Sequence, residues 1–327
     1  MTAFVGVDVG TGSARVGVFD ARGALLASHA QDIQMWRDGE KAEQSSDDIW
    51  EAVCACVMAA VRASGLAPDQ VKGVGFDAAC SMVVLDRDMR PLSISETGLA
   101  ERNVIVWMDH RAKGQAARIN AQGHAVLDYV GGRISPEMQT PKLLWIKENL
   151  PEAFRTAGQF FDLPDFLTWA ATGSLVRSAC TVTCKWTYLA HENRWNDGYF
   201  HEIGLGELAT EEYARIGQQI VPPGTALANG LTPQAAAQMG LLPGTPVGAA
   251  LIDAHSGGIG TVGADLEAGP EATMAYVFGT SACTMASSSE PHKVPGVWGP
   301  SEKLEAKYID NPLWFLRRTI AAHPLGG

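Results

Sequence analysis

Apolar residues crowd two short runs near the start of the chain, Phe4–Val9 and Ala14–Phe19, with Gly10-Thr11-Gly12-Ser13 between them. Two Val-rich runs around such a turn read as a β-hairpin. Leu25–Ala30 adds a third strand after the turn Ala21-Arg22-Gly23. At Ser45-Ser46-Asp47-Asp48 the period changes. These residues are a helix-start signal, and the following IWEAVCACVMAAVRAS carries its apolar residues at helical spacing. Val71–Phe76 and Met82–Leu85 read as strands again, on either side of Asp77-Ala78-Ala79-Cys80. Further on, helices are expected at Arg111–Gln122, Lys142–Glu148, Pro164–Thr172, Ala209–Ile216 and Thr232–Gly240. The stretch CTVTCKWTY is β-like, and its alternation sets Lys185 opposite Trp186. A strand over Pro246–Ile252 ends on Asp253, a Gly-rich stretch follows, and VFGTSACTM forms a second hairpin.

The opening order β-β-β-α-β differs from the alternation of a doubly wound sheet. It is the order of the ribonuclease H-like α/β fold shared by sugar kinases, actin and heat-shock ATPases. A chain of 327 residues is long for one core, so two lobes are expected, with a soft boundary near Asp265.

Charge narrows the partners. The formal net charge is −11 and no Lys/Arg block occurs, which disfavours nucleic acid and anionic lipid surfaces. Phosphate would have to be held by backbone donors, a few cations or a metal. The N-terminus lacks the features of a signal peptide, and no run is long enough to span a membrane. Cys54, Cys56, Cys80, Cys180, Cys184 and Cys283 lack the spacing of a zinc site, so reduced thiols in a cytoplasmic protein are expected.

The two Gly-Thr turns are the first candidate chemistry. A turn of Gly, Thr and Ser can aim successive N–H groups at an anion, its glycines tolerating φ > 0 and close approach. Thr11, Gly12 and Ser13 supply one such turn, and Gly279, Thr280 and Ser281 the other. Either alone is also an ordinary hairpin turn; two suggest a clamp on a nucleotide's phosphates. Asp8, at a strand end, suits a water-mediated Mg²⁺, and Arg15 could reach a phosphate. Asp253 is placed either as a general base or as the cap of the next helix. His255 reads as structural. Trp107–Arg111 reads as a sugar-facing rim or an ion-paired helix start, with little support for a metal at Asp109 and His110. Lys185 needs a partner if buried, either a sugar oxygen or a protein carboxylate.

Taken in order, GVDVGTGSARVGVFD, GVGFDAACSMVVLD, VWMDHRA, MQTPKLLWIKENLP, FFDLPDFLTWAATG, CTVTCKWTY, DAHSGGIG and FGTSACTM resemble the FGGY carbohydrate kinases, in particular the ribulokinase and pentulose kinase branch. The likeness covers residues 4 to about 300. It implies a complete N-terminal lobe over residues 1–265, the start of a second lobe over 266–300, and a tail over 301–327 that matches nothing in the family, as in a truncated chain. It also implies that Asp8 organises Mg²⁺, that Thr11 and Gly12 line the γ-phosphate site, and that Gly279, Thr280 and Ser281 are the second phosphate loop. Asp253 matches the base, and Ala79, Lys185 and Asp253 match positions that touch the ketopentose, with Asp77 and Trp107–Arg111 supporting the pocket. The implied reaction is transfer of the ATP γ-phosphoryl group to the terminal hydroxyl of a ketopentose, D-ribulose before L-ribulose or xylulose. A fragment that binds sugar without transferring phosphate is the alternative. An actin-like or heat-shock-type ATPase fits less well, because VWMDHRA and CTVTCKWTY belong to the sugar branch. The expected partners are the sugar and ATP, with self-association left open.

Overall fold

A computed structural model of the chain describes residues 1–262, 272–278, 282–288, 292–299 and 320–325. The expected boundary near Asp265 and the second turn, Gly279, Thr280 and Ser281, lie outside the described residues.

The first hairpin forms as expected. Strands β1 (Ala3–Val9), β2 (Ser13–Asp20) and β3 (Leu25–Asp32) are antiparallel neighbours, and every second residue of β1 and β2 points into the core. A small sheet follows with β4 (Met35–Asp38) and β5 (Lys41–Gln44). Helix α1 (Ser46–Ser64) starts where Ser45 accepts a hydrogen bond from the Asp48 N–H. It stops at Gly65, whose φ of 69° is the left-handed cap that favours glycine. Its buried stripe, including Ile49, Val53 and Val57, packs on Val5, Val7, Val16 and Val18 of the hairpin.

Strand β6 (Val71–Ala78) then joins β1 in parallel. β7 (Met82–Asp86) leaves for the second sheet and pairs with β8 (Val104–Ile105). Helices α2 (Lys113–Gln122), α3 (Gln139–Asn149) and α4 (Pro151–Thr156) pack around that sheet, closed by β9 (Ala157–Asp162). Helix α5 (Leu163–Thr172) returns to the first core. A short pair, β10 (Arg177–Ser178) with β11 (Ile220–Val221), frames α6 (Ala179–Trp186), α7 (Asp197–Glu202) and α8 (Gly206–Thr210). Helix α9 (Pro233–Met239) has the expected Thr232 and Gly240 caps, and β12 (Leu251–Ile252) leads into α10 (Asp253–Val262). The main sheet runs β12-β6-β1-β2-β3 and the other β4-β5-β8-β7-β9.

Four expectations fail, the first being the strand over Pro246–Ile252, of which only Leu251–Ile252 forms a strand, with isolated bridges at Val247 and Gly248. CTVTCKWTY is mostly helix α6, because Ser178 caps it through the Cys180 N–H at 3.3 Å and the buried Asp165 carboxylate accepts from the Ser178 N–H at 2.9 Å. Those anchors override the β-preference of Thr181, Val182 and Thr183. The expected helix Ala209–Ile216 stops at Thr210, since Glu212 and Tyr213 take φ values of 52° and 60°. The Gly-rich stretch after Asp253 is not a turn but α10. Close packing explains its glycines: a Cβ on Gly258 would lie 2.6 Å from the Met285 side chain.

Helix α10 carries the hairpin β13 (Met274–Phe278) and β14 (Ala282–Ser287), through Val262, Ala275 and Met285. Phe278 pairs with Ala282. β15 (Ile320–Leu325) pairs with β14. Met274 and Tyr276 are exposed on β13. No helix among the described residues is long and apolar enough to cross a membrane.

Candidate active site

Three carboxylates end three adjacent parallel strands. Asp8 on β1 is in register with Asp77 on β6, Leu251 of β12 is also in register with Asp77, and Asp253 follows β12 directly. Such strand ends are where open α/β sheets place their ligands. Asp253 is both of the things its sequence allowed. It opens α10, its Oδ1 accepting the Ala254 N–H at 2.7 Å, and it faces the other two carboxyls. Burial, chiefly, raises its pKa above the ordinary carboxylate range, with Asp8 adding repulsion against the Ala254 hydrogen bond.

Asp77 goes further. Burial and then the charge of Asp8 push it up to about 8, against a hydrogen bond from Ser256. Asp8 Oδ2 is ion-paired with Arg15 at 2.8 Å. Asp8 Oδ1 is buried and has no hydrogen-bond partner among the described residues. Crowded acid with an orphaned carboxylate oxygen suits a hard cation that prefers oxygen ligands. No three His, Cys, Asp or Glu side chains among the described residues are arranged to grip a metal directly, so Mg²⁺ would keep much of its water.

The turn after β1 abuts this acid cluster. The Gly10 N–H donates to the Ser13 carbonyl at 3.0 Å, and neither Gly10 nor Gly12 has positive φ, so the glycines serve access and not handedness. A Cβ on Gly12 would have no neighbour within 4 Å, leaving an open cradle at the turn. Gln44 Nε2 holds the Thr11 carbonyl at 2.8 Å, and Trp107 Nε1 donates to Thr11 Oγ1 at 2.9 Å. With its oxygen engaged, the Thr11 hydroxyl keeps its own proton to donate to an anion.

Trp107 is therefore tied to the turn, a role its sequence context did not reveal. The rest of its stretch is the ion-paired anchor that was expected. Buried Asp109 accepts from the Ala42 N–H at 2.7 Å and from Arg111, which also reaches Glu43 at 2.8 Å. Sequence reasoning missed Lys142. It is fully buried, its Nζ donates to the Val106 and Trp107 carbonyls at 3.1 Å each, and burial pulls it down to about 8. The only signal was a lone Lys inside the apolar run TPKLLWI.

Ala79 sits buried at the end of β6, its N–H on the Val9 carbonyl at 2.9 Å. Helix α6 packs Cys180 and Cys184 against Cys80 and β12, and places Lys185 beside the acid cluster. Lys185 is 5% exposed. No carboxylate among the described residues lies within ion-pair distance of it, and its Nζ stands 4.3 Å from the centre of the Trp298 ring. Burial works against its charge, but the negative charge that Cys80, Cys184, Glu137 and Asp162 carry when ionised outweighs it, leaving the pKa above the ordinary lysine range. His255 is structural as expected. Its Nδ1 meets the Cys180 thiol at 2.9 Å, and burial, then Lys185, pushes it down to about 4. All six cysteines are free thiols. Thus Asp8, Thr11, Gly12, Ser13, Arg15, Ala79, Lys185 and Asp253 gather around one end of the main sheet.

Residues 3–260 match the N-terminal domain of the FGGY family of carbohydrate kinases, and the chain belongs to that family. It is 51% identical over 307 residues to the human FGGY carbohydrate kinase domain-containing protein, across 91% of this chain and 55% of that one. It is 37% identical over 333 residues to a D-ribulokinase of Saccharomyces cerevisiae, across 93% and 47% of the two chains. The chain thus spans about half the length of the curated relatives it matches. The gluconate kinase of Lactobacillus acidophilus superposes with a TM-score of 0.79 at 17% identity, over 99% of this chain and 59% of that one, which establishes the sugar-kinase fold.

Proposed function

We propose that this chain carries the sugar pocket, the general base and the first phosphate turn of an ATP-dependent ketopentose kinase. The carrying observation is the meeting of Asp8, Asp77 and Asp253 at parallel strand ends beside the open Thr11–Gly12 turn. D-ribulose is the preferred substrate, supported by the 37% identity to a protein named D-ribulokinase; L-ribulose and xylulose follow. The proposed division is an N-terminal lobe to residue 265, the start of a second lobe to 300, and a tail over 301–327, acting with ATP and Mg²⁺ in the cytoplasm.

In this reading the ketopentose lies against Ala79 and Lys185 with its terminal hydroxyl toward Asp253. Asp253 takes that proton as the oxygen bonds to the γ-phosphorus. The bond from that phosphorus to the bridging oxygen breaks and ADP leaves. A buried carboxylate is a stronger base than a solvated one, which suits Asp253 to this work. Thr11, Gly12, Ser13 and Arg15 orient the phosphates from one side, and Gly279, Thr280 and Ser281 do so from the other. Asp8 would hold the Mg²⁺, which supplies charge neutralisation to the phosphates when bound.

The test is ADP release from Mg·ATP with D-ribulose, L-ribulose or D-xylulose, in the parent and in Asp253→Asn, both shown to be folded by circular dichroism. Sugar-dependent ADP from the parent alone supports the proposal. Sugar binding without ADP would identify a silent sugar-binding chain and refute it, and sugar-independent ADP would point to an actin-like ATPase.

A further inference from the structure

Residues 292–299 lie beyond the stretch that matches the N-terminal domain, yet they are seated on it. The Gly296 N–H donates to the Gly131 carbonyl at 2.9 Å, the Gly299 N–H donates to the Tyr129 carbonyl at 3.0 Å, and Trp298 bridges to Val130. Lys293 reaches Asp128 at 3.5 Å and stands over the Tyr129 ring. The fit is close enough to need a glycine. Gly131 has φ of 76°, and a Cβ there would meet the backbone of Gly296 and Val297 at 3.0 Å. Through this seat Trp298 joins the core around the second sheet and turns its ring to Lys185.

We propose that residues 292–299 form a strap closing the ketopentose pocket, and that Trp298 is a positioning residue that aims the Lys185 ammonium at the sugar carbonyl. This rests on the ketopentose reading above. A carboxylate partner would neutralise the lysine by occupying its N–H donors. A ring face stabilises the charge and occupies none of them. Among the described residues no oxygen accepts from the buried ammonium, and a ketone oxygen can take a charge-assisted hydrogen bond from it. An element from beyond the N-terminal domain thereby sets affinity for the sugar while the nucleotide turns stay untouched.

The experiment uses the full chain with Trp298→Leu, which keeps apolar bulk, Trp298→Phe, which keeps a ring face, and Gly131→Ala, which disturbs the seat alone. Calorimetry measures D-ribulose, L-ribulose, D-xylulose and ATP binding, and acetylation of Lys185 by an amine-reactive ester is read by peptide mass spectrometry. Trp298→Leu and Gly131→Ala are expected to weaken ketopentose binding about tenfold, with ATP binding unchanged and Lys185 labelling faster, and Trp298→Phe to restore most of both. Ketopentose binding by Trp298→Leu equal to the parent's would overturn the positioning role while the kinase reading stands. Unchanged labelling in both Trp298→Leu and Gly131→Ala would overturn the seated ring itself. A parent that binds none of the three sugars would refute the ketopentose reading, and the pocket role with it.

Discussion

Asp162 offers the cleanest test of the scaffold beneath the pocket. It is 1% exposed at the end of β9, and its Oδ2 accepts from Trp186 Nε1 at 2.8 Å and from Gln139 Nε2 at 3.0 Å. Gln139 in turn holds the Cys80 carbonyl at 2.9 Å, so this carboxyl joins α3 and α6 to the strand end beside Ala79. Burial dominates and lifts its pKa from 3.8 to about 7, although the Trp186 and Gln139 hydrogen bonds favour the anion. The folded state therefore binds more protons than the unfolded state between those values. The stabilisation is complete below the unfolded value and is lost as pH rises through the folded one. A difference of about 3 pH units, at 1.36 kcal/mol each, corresponds to about 4 kcal/mol over the whole window. Roughly two-thirds of that falls between pH 5 and 8. Asp162→Asn keeps an acceptor for Trp186 and Gln139 and cannot titrate. Urea unfolding followed by tryptophan fluorescence from pH 5 to 8 should show the parent losing about 2–3 kcal/mol more than the variant. Asp77 and Asp165, also raised by burial, act in the same direction in both proteins and cancel in the comparison. Parallel stability curves for parent and variant would refute the reasoning.

Other outcomes are expected at the reacting centre. Asp253→Asn should lower kcat by about 10²–10⁴ without loss of folding, measured by coupled ADP release. In the parent the acid limb of kcat/KM for the sugar should lie above the ordinary carboxylate range, because burial raises Asp253; a limb at the solvated value would count against its role as base. Thr11→Val removes both the acceptor of Trp107 Nε1 and the free hydroxyl proton, so the KM for ATP should rise about tenfold with the KM for sugar little changed. Lys142→Met leaves the Val106 and Trp107 carbonyls without their donor and should lower the unfolding free energy by about 2 kcal/mol, read from urea midpoints.

What was legible in the sequence followed from local physics. The Phe4–Phe19 hairpin and the start of α1 depend on alternation and on Ser45 before a helix, and the expected helix Thr232–Gly240 brackets α9. The site residues became readable only as an ordered set, since a Gly-Thr turn or an Asp before a helix has an ordinary structural use. Where long-range contacts decided, the sequence misled. CTVTCKWTY looks like a strand because Thr and Val favour one, and it is a helix because Ser178 and Asp165 fix its start. Lys142 looked incidental, and the tie of Trp107 to the turn went unread, because their partners are backbone carbonyls and a threonine hydroxyl that no spacing reveals.

The same distinction bears on how two lobes could make one site. Asp8, Asp77 and Asp253 are brought together by neighbouring strands of one sheet, all within residues 1–262. Lys185 is different. Its helix is fixed within the first lobe, but the ring that faces its ammonium comes from the strap at Trp298. Helix α10 makes the complementary link, starting at Asp253 and packing its far end on Ala275 and Met285. A shift of the second hairpin would therefore be felt at Asp253 through α10, and a shift of the strap at Lys185 through Trp298. Both run through packed contacts, so in the proposed kinase a movement of either would be passed on to Asp253 and Lys185.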